Sequence, residues 1–228
     1  MHKQLLRGLS GTELKLLALI IMTIDHIGMI LFPSVRILRI AGRMSFPIFA
    51  YMIAEGCRYT KNKHRYLAQL FCTGAVCQLV YYAADGSLYM CIFITFSLSA
   101  AVIFTVQNAG HGIKNAALCA AAIAAAAAVT LLLPELIHGF DVDYGFWGVM
   151  LPVLIYLGRD RRERLILCAA GIIAVSCDLG DIQWWSLTAL LPLSLYNGSR
   201  GKFPMKYFFY VYYPVHLAVL YLIAQLLI

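Results

Sequence analysis

Long apolar runs recur along this sequence, and they constrain its fold more than any other feature. Apolar residues make up 62% of the 228 positions, charged residues make up only 13%, and the mean hydropathy is +0.79. A soluble domain of this size does not need so much apolar surface, so we expect lipid to be its solvent. The runs lack the period-two alternation of a membrane β-barrel. The sequence therefore predicts an all-α, polytopic membrane helical bundle that forms a single domain over residues 1–228.

Charged and Gly/Pro/Asn clusters divide the chain into about nine apolar segments, each long enough or nearly long enough to cross a bilayer. The predicted spans are 14–32, 43–57, 66–83, 88–106, 115–133, 143–157, 164–177, 182–196 and 207–228. With this count, all of the 18 Lys and Arg residues fall on one side except Arg36, Arg39 and Arg43. The positive-inside rule then predicts a cytoplasmic N-terminus in a multi-pass protein of the cell's inner (plasma) membrane. The net charge of +7 is explained by this topology and by contact with anionic lipid, so no nucleic acid partner is expected.

Two histidines lie inside apolar runs at similar predicted depth. His26 follows Leu14 by twelve residues, and His216 follows Lys206 by ten, which puts both imidazoles about 15–18 Å along their helices. Ionisable groups near the bilayer centre are costly and usually face an ion path or an active site. Imidazole can serve there as a general base or nucleophile. The alternative is a structural polar cluster that joins helices.

A carboxylate and a guanidinium accompany the histidines in the sequence. Asp25 is adjacent to His26, and because adjacent helical side chains do not face each other, it could instead pair with His216 or Arg43 across the bundle. Pro47 cannot donate a hydrogen bond to the carbonyl of Arg43, so the backbone beside this guanidinium is freed or kinked. Arg43 could then stabilise negative charge in a ligand or transition state. Its alternative role is an interfacial anchor.

Other polar groups flank these predicted spans. Tyr212 and Tyr213 lie four and three residues before His216 and share its helix face. A tyrosine hydroxyl there could fix the histidine tautomer or donate to a substrate, although such residues are also common as membrane belts. Glu55, near the cytoplasmic end of the second span, could meet the basic loop 58–65.

The predicted outer side collects acidic residues, namely Asp85, Glu135, Asp141, Asp143, Asp178 and Asp181. They could form an acidic vestibule for a cationic group such as an amine, or they could be solvated loop charges. The seven cysteines sit singly, with no spacing typical of a metal or redox site. We therefore expect neither a metal nor disulfides.

A resemblance to a known family rests on five segments in a fixed order: LKLLALIIMTIDHIG, LRIAGRMSFPIFAYMIAEGCRYTKNKHRYL, FDVDYGFWGVMLPVLIY, LYNGSRG and KYFFYVYYPVHLAVLYLI. Together they resemble the TraX family, named for the protein that N-acetylates the amino terminus of F-pilin. That family is similar to the wider transmembrane acyltransferases, including the acyltransferase-3 family and heparan-α-glucosaminide N-acetyltransferase, which use a cytoplasmic acyl-CoA and an intramembrane histidine. Lys15 and His26 resemble the acyltransferase-3 pattern of a basic residue, ten intervening residues and a histidine, with Lys in place of Arg.

The resemblance implies an acetyltransferase that uses acetyl-CoA as cosubstrate. The implied catalytic residues are His26 as base or transient acyl carrier, Asp25 to orient an imidazole, Arg43 for the oxyanion, and His216. The implied donor-binding residues are Lys15, Arg58, Lys61, Lys63, Tyr212 and Tyr213. The implied acceptor-binding residues are Asp141, Asp143 and Glu55, and the acceptor would be a peptide amine, a sugar or a small metabolite.

Two other functions fit the same residues. A proton-coupled transporter could use Asp25, His26 and His216 as a relay, and it predicts substrate flux without consumption of acetyl-CoA. A non-catalytic membrane scaffold would use these polar groups only for packing, so substitution of His26 would reduce stability alone.

Overall fold

Helices form most of the computed structural model, which describes residues 8–109, 113–201 and 206–227. Among the predicted cytoplasmic cations, Lys3, Arg7 and Lys202 lie outside these ranges, as does the end of the ninth predicted span at residue 228. The helices are α1 (Gly11–Ile30), α2 (Arg36–Gly42), α3 (Ser45–Tyr59), α4 (Lys63–Asp85), α5 (Ile92–Asn108), α6 (Ile113–Ala127), α7 (Leu133–Leu136), α8 (Gly145–Leu157), α9 (Arg161–Leu179), α10 (Leu190–Ser194) and α11 (Lys206–Leu227). A π-helical turn (Ala128–Leu132) joins α6 to α7, and a 3₁₀ helix (Asp181–Ala189) precedes α10.

Each predicted span overlaps a helical segment, but the segments differ in their capacity to cross a bilayer. Within the described ranges, four stretches are long and apolar enough to do so: Arg36–Tyr59, Lys63–Asp85, Ile113–Leu136 and Tyr207–Leu227. The α5 and α8 helices are apolar but shorter. The eighth predicted span is largely a 3₁₀ helix rather than an α-helix. The fold is therefore an all-α membrane bundle, and the count of nine spans stays a prediction.

A short parallel ladder interrupts the helices at one end of the bundle. Strand β1 (Leu88–Met90) pairs with β2 (Phe140–Val142), with Tyr89 opposite Asp141. The Asp143 amide continues the ladder by donating to the Met90 carbonyl at 3.0 Å. The fourth predicted span therefore begins as a strand, and its helix starts only at Ile92.

The helix is interrupted at the start of the second predicted span, where Pro47 predicts a freed carbonyl. Helix α2 ends at Gly42, α3 begins at Ser45, and Pro47 lies in the first turn of α3. The Arg43 carbonyl accepts a hydrogen bond from the Ser186 hydroxyl at 3.0 Å. The break therefore ties α3 to the 3₁₀ helix without leaving this buried carbonyl unsatisfied.

The start of α1 is held by the turn at residues 196–201. Ser10 and Glu13 form a capping box, while the Gly11 and Thr12 amides donate to the carbonyls of Ser199 and Arg200. These bonds satisfy the amides that a helix N-terminus leaves free. They also bring residues from the two ends of the sequence to one end of the bundle.

We predict that Gly201→Ala destabilises the protein more than Gly139→Ala. Both glycines have a left-handed φ, +93° and +80°, which penalises an added Cβ by roughly 1–2 kcal/mol. At Gly201 the Cβ would also lie 2.6 Å from the Thr12 hydroxyl, whereas at Gly139 no atom lies within 4 Å. Thermal unfolding in one detergent measures the difference, and equal losses would contradict this account of the turn.

Candidate active site

A deep cavity of about 540 Å³ runs into the bundle beside α1. Its wall includes Thr12, Lys15, Leu19 and Met22. These residues recur every three or four positions, so they lie on one face of the helix. The face from Thr12 to Met22 is about 15 Å long. The next position on the same face is His26, one turn beyond the cavity wall.

The two ends of the cavity differ in chemistry. At the mouth lie two cations, Lys15 and Arg200, where the turn at 196–201 caps α1. Farther in, the wall becomes aromatic and apolar, with Phe93, Tyr212 and Tyr213 at the inner part. A solute with an anionic head and a slender apolar or amide arm would match this distribution.

His26 and His216 form a hydrogen-bonded pair behind the inner wall of the cavity. The His26 Nδ1 atom lies 2.6 Å from His216 Nε2, and both residues are buried. The Tyr213 ring, which lines the cavity, meets both imidazoles edge-on, with ring centroids 5.7 Å and 5.2 Å away. Aromatic side chains of the cavity wall therefore separate the cavity from the imidazole pair, since Tyr212, another wall residue, also contacts His216.

The hydrogen bonds of the pair determine its tautomers when both rings are neutral. His216 Nδ1 lies 3.0 Å from the Tyr212 carbonyl. Because a carbonyl only accepts, His216 Nδ1 carries the proton and its Nε2 accepts from His26 Nδ1. The remaining nitrogen, His26 Nε2, then holds a lone pair. In the part of the chain that the structure describes, no group donates to it.

The Tyr212 side chain has a different role from the one expected. Thr23 donates its hydroxyl to the Leu19 carbonyl at 2.8 Å, so the Tyr212 hydroxyl must be the donor in its 2.8 Å bond to Thr23. The Tyr212 ring stacks on His216 at a centroid distance of 5.1 Å. The backbone carbonyl of Tyr212, rather than its hydroxyl, fixes the histidine tautomer.

Asp25 pairs with arginines, which corrects the expectation that it orients an imidazole. Its carboxylate accepts from Arg43 Nη2 at 2.7 and 2.8 Å and from Arg39 Nη1 at 2.7 Å. Arg43 also donates to the Gln183 side chain at 3.3 Å. Gly42 makes the approach possible, because a Cβ there would lie 2.1 Å from the Asp25 carboxylate. Arg43 is thus paired with a carboxylate that it shares with Arg39, and the expected Asp25–His26–His216 relay lacks a carboxylate–imidazole bond among the described residues.

Lys15 is the one member of the expected set of donor-binding cations that lines the cavity. Arg58 donates to the carbonyls of Tyr156 and Gly158, Lys63 donates to the Asn108 side chain, and Lys61 is exposed. Arg200, which also lines the cavity, was not among the expected residues. The signal for it was the LYNGSRG segment, whose two glycines, Gly198 and Gly201, permit the left-handed turn.

The three expected acceptor-binding residues lie at opposite ends of the bundle. Glu55 borders the mouth of the cavity and pairs with Arg164 at 2.6 Å. Asp141 is exposed, and Asp143 accepts from the Tyr89 hydroxyl at 2.7 Å beside the β ladder. Burial raises the pKa of the Asp143 carboxyl to about 6, although the Tyr89 hydrogen bond and the charge of Arg43 act in the opposite direction.

These features define an all-α membrane protein with a deep aromatic cavity and a buried histidine pair behind it. The chain belongs to the TraX family, since the family profile described as TraX protein matches residues 10–224. This result confirms the resemblance found in the sequence.

Individual relatives match over most of the chain. A probable fimbrial assembly protein, FimC of serogroup H1, from Dichelobacter nodosus is 25% identical, covering 92% of this chain and 94% of the relative. Protein TraX of Escherichia coli is 27% identical, covering 91% of this chain and 84% of the relative. An uncharacterised protein of Rickettsia prowazekii is 28% identical over 82% of this chain and 69% of its own length. No solved structure matches.

We predict that Asp25→Asn destabilises the protein by about 3 kcal/mol, because it leaves buried Arg43 without its counter-ion. Asp181→Asn is the matched control, since Asp181 pairs with Arg36 in solvent and its side chain is 67% exposed, against 10% for Asp25. The control should cost less than about 1 kcal/mol. Unfolding titrations in a fixed detergent give both values, and similar losses would contradict the structural role of Asp25.

We predict that Asp143 makes the protein less stable as pH rises from about 4 to about 6. An unfolded aspartate has a pKa near 3.9, so in this window the native state holds a proton that the unfolded chain releases. Asp143→Asn should remove this slope in melting temperature, and the exposed Asp141→Asn control should keep it. An unchanged slope in Asp143→Asn would show that another group causes it.

Proposed function

We propose that this protein is a membrane acetyltransferase that moves an acetyl group from acetyl-CoA to an amine or hydroxyl acceptor. The observation that carries the proposal is the cavity that joins the cations Lys15 and Arg200 to the Tyr213 wall of the histidine pair. TraX family membership supports the proposal only through the activity that the sequence resemblance implies for this family, which is acetyl transfer.

The mouth of the cavity fits the nucleotide part of the donor. Lys15 and Arg200 supply positive charge for phosphates, and the guanidinium of Arg200 can bind two oxygens at once. The α1 N-terminus does not contribute, because its Gly11 and Thr12 amides are bonded to the 196–201 turn. The aromatic interior suits the pantetheine arm and excludes water from the thioester.

His26 is the proposed general base. Its Nε2 lone pair takes the proton of the acceptor as the acceptor nitrogen or oxygen bonds to the thioester carbonyl carbon. The C–S bond then breaks, and the leaving sulfur takes that proton from His26 to form the free thiol. His216 is a positioning residue, because its bonds to Tyr212 and His26 keep this lone pair on Nε2. A shift of the Tyr213 ring would join the cavity to His26.

The charge distribution supports a direction for the reaction. We propose that the end bearing Lys15 and Arg200 faces the cytoplasm, the source of acetyl-CoA, in the inner membrane of a bacterium. The acceptor would enter from the membrane or the opposite end, past Asp141 and Asp143. Among the possible acceptors, the fimbrial assembly relative favours a peptide amine of a surface-fibre subunit.

We predict that His26→Ala lowers acetyl transfer by about 10²–10⁴-fold, the usual contribution of a general base. The assay follows label from acetyl-CoA into product, by mass spectrometry, with purified protein in nanodiscs. The exposed His138→Ala is the matched control and should retain wild-type turnover. His216→Ala should reduce turnover less than His26→Ala, because it removes orientation and not the base.

The same experiment separates the alternatives. Transfer that survives His26→Ala would make the catalytic assignment wrong. Solute flux in liposomes without consumption of acetyl-CoA would support a transporter instead. Loss of stability in His26→Ala, with no turnover in the wild type, would support a scaffold.

A further inference from the structure

A second, smaller pocket of about 140 Å³ lies beside the mouth of the main cavity. It is enclosed by α3, the start of α9 and the turn at residues 196–198. The two cavities share Glu55, Tyr59, Tyr196 and Gly198 as wall residues. The small pocket is therefore a side branch of the larger one, and a ligand held at the mouth could extend a group into it.

Tyr51 contributes its side chain to the wall of this side pocket. Tyr51 lines the pocket and is only 1% exposed, and its ring packs edge-on against Tyr196 at 5.9 Å. Among the described residues, the Tyr51 hydroxyl makes no hydrogen bond, and it is not completely enclosed. It can therefore donate a hydrogen bond to a ligand in the pocket.

The charge in the side pocket is positive. Arg161 and Arg164 line it, and Glu55 is the one carboxylate in its wall. Arg164 contacts Glu55 through Nη1 and the Asp160 carbonyl through Nε, while Arg161 Nη2 donates to the Ser194 carbonyl. Each guanidinium has five N–H donors, so both keep donors for a ligand after these bonds. Two guanidinium groups against one carboxylate leave a net positive charge in a small space, which favours a compact oxyanion.

We propose that this side pocket binds a phosphate monoester, and that its source is the 3′-phosphate of the nucleotide in the acetyl donor. This inference rests on the proposed function, since it assigns a second subsite to the same donor. Lys15 and Arg200 at the main mouth would hold the diphosphate, while Arg161, Arg164 and Tyr51 hold the monoester. An anionic lipid headgroup offers the same chemistry, so the experiment separates the two sources.

The test compares binding of coenzyme A and dephospho-coenzyme A, which lacks the 3′-phosphate, to the full chain in neutral-lipid nanodiscs by calorimetry. The wild type should prefer coenzyme A by tenfold or more. Tyr51→Phe removes only the hydroxyl, so it should preserve the melting temperature and reduce this preference several-fold. Arg161→Gln should act in the same way. Arg162→Gln is the matched control, because this neighbouring arginine does not line the pocket.

Each outcome decides a different point. Equal wild-type affinity for the two ligands would overturn the side-pocket assignment and leave the proposed function intact. Absence of binding by both ligands would overturn the proposed function and this assignment with it. In a third outcome, Tyr51→Phe keeps the preference for coenzyme A but no longer retains phosphatidic acid added to the nanodisc. That result would assign the pocket to a lipid headgroup and overturn the nucleotide source.

Discussion

The buried ion pair between Asp25 and Arg43 is the interaction on which the rest of the site depends. An isolated charge is too costly inside an apolar bundle, so α1 must bring Asp25 to the break between α2 and α3, where Arg43 lies. Gly42 permits the contact, and the bonds of Arg43 to Gln183 and Ser186 extend it to the 3₁₀ helix. This network fixes the rotation of α1 about its axis.

Once that rotation is fixed, one face of α1 organises both the cavity and the histidine pair. Asp25 points toward the arginines, so His26, one residue later, points about 100° away toward α11. There it meets His216, while Lys15 and Met22 on the same face line the cavity. The turn at 196–201 completes the arrangement by holding the start of α1 beside Arg200. The cations at the cavity mouth and the imidazole pair therefore lie toward opposite ends of one helix face.

Much of this arrangement could be predicted from the sequence because depth follows from residue counts. Counting from the helix ends puts His26 and His216 at the same level, and their costly burial favours a common cluster, as the structure has it. Pro47 predicts the broken backbone at Arg43 from the loss of one amide donor. The partner of Asp25 could not be predicted, because an arginine and a histidine at similar depth compete for one carboxylate and only the rotation of the helices decides between them.

The sequence by itself determined that this is a helical membrane protein and how deep its ionisable groups lie, since hydropathy and helical rise are local properties. Only the tertiary structure decided which cations face the cavity. The Arg200 backbone carbonyl accepts a hydrogen bond from the Thr12 hydroxyl at 2.8 Å, although the two residues are 188 positions apart in the sequence. Lys61 and Lys63, by contrast, do not line the cavity. In the sequence Tyr51 is one aromatic residue within an apolar span, and only the packing of α9 and the 196–198 turn against α3 makes it part of a pocket wall. Contacts between distant segments depend on how helices pack, and no local pattern records that packing.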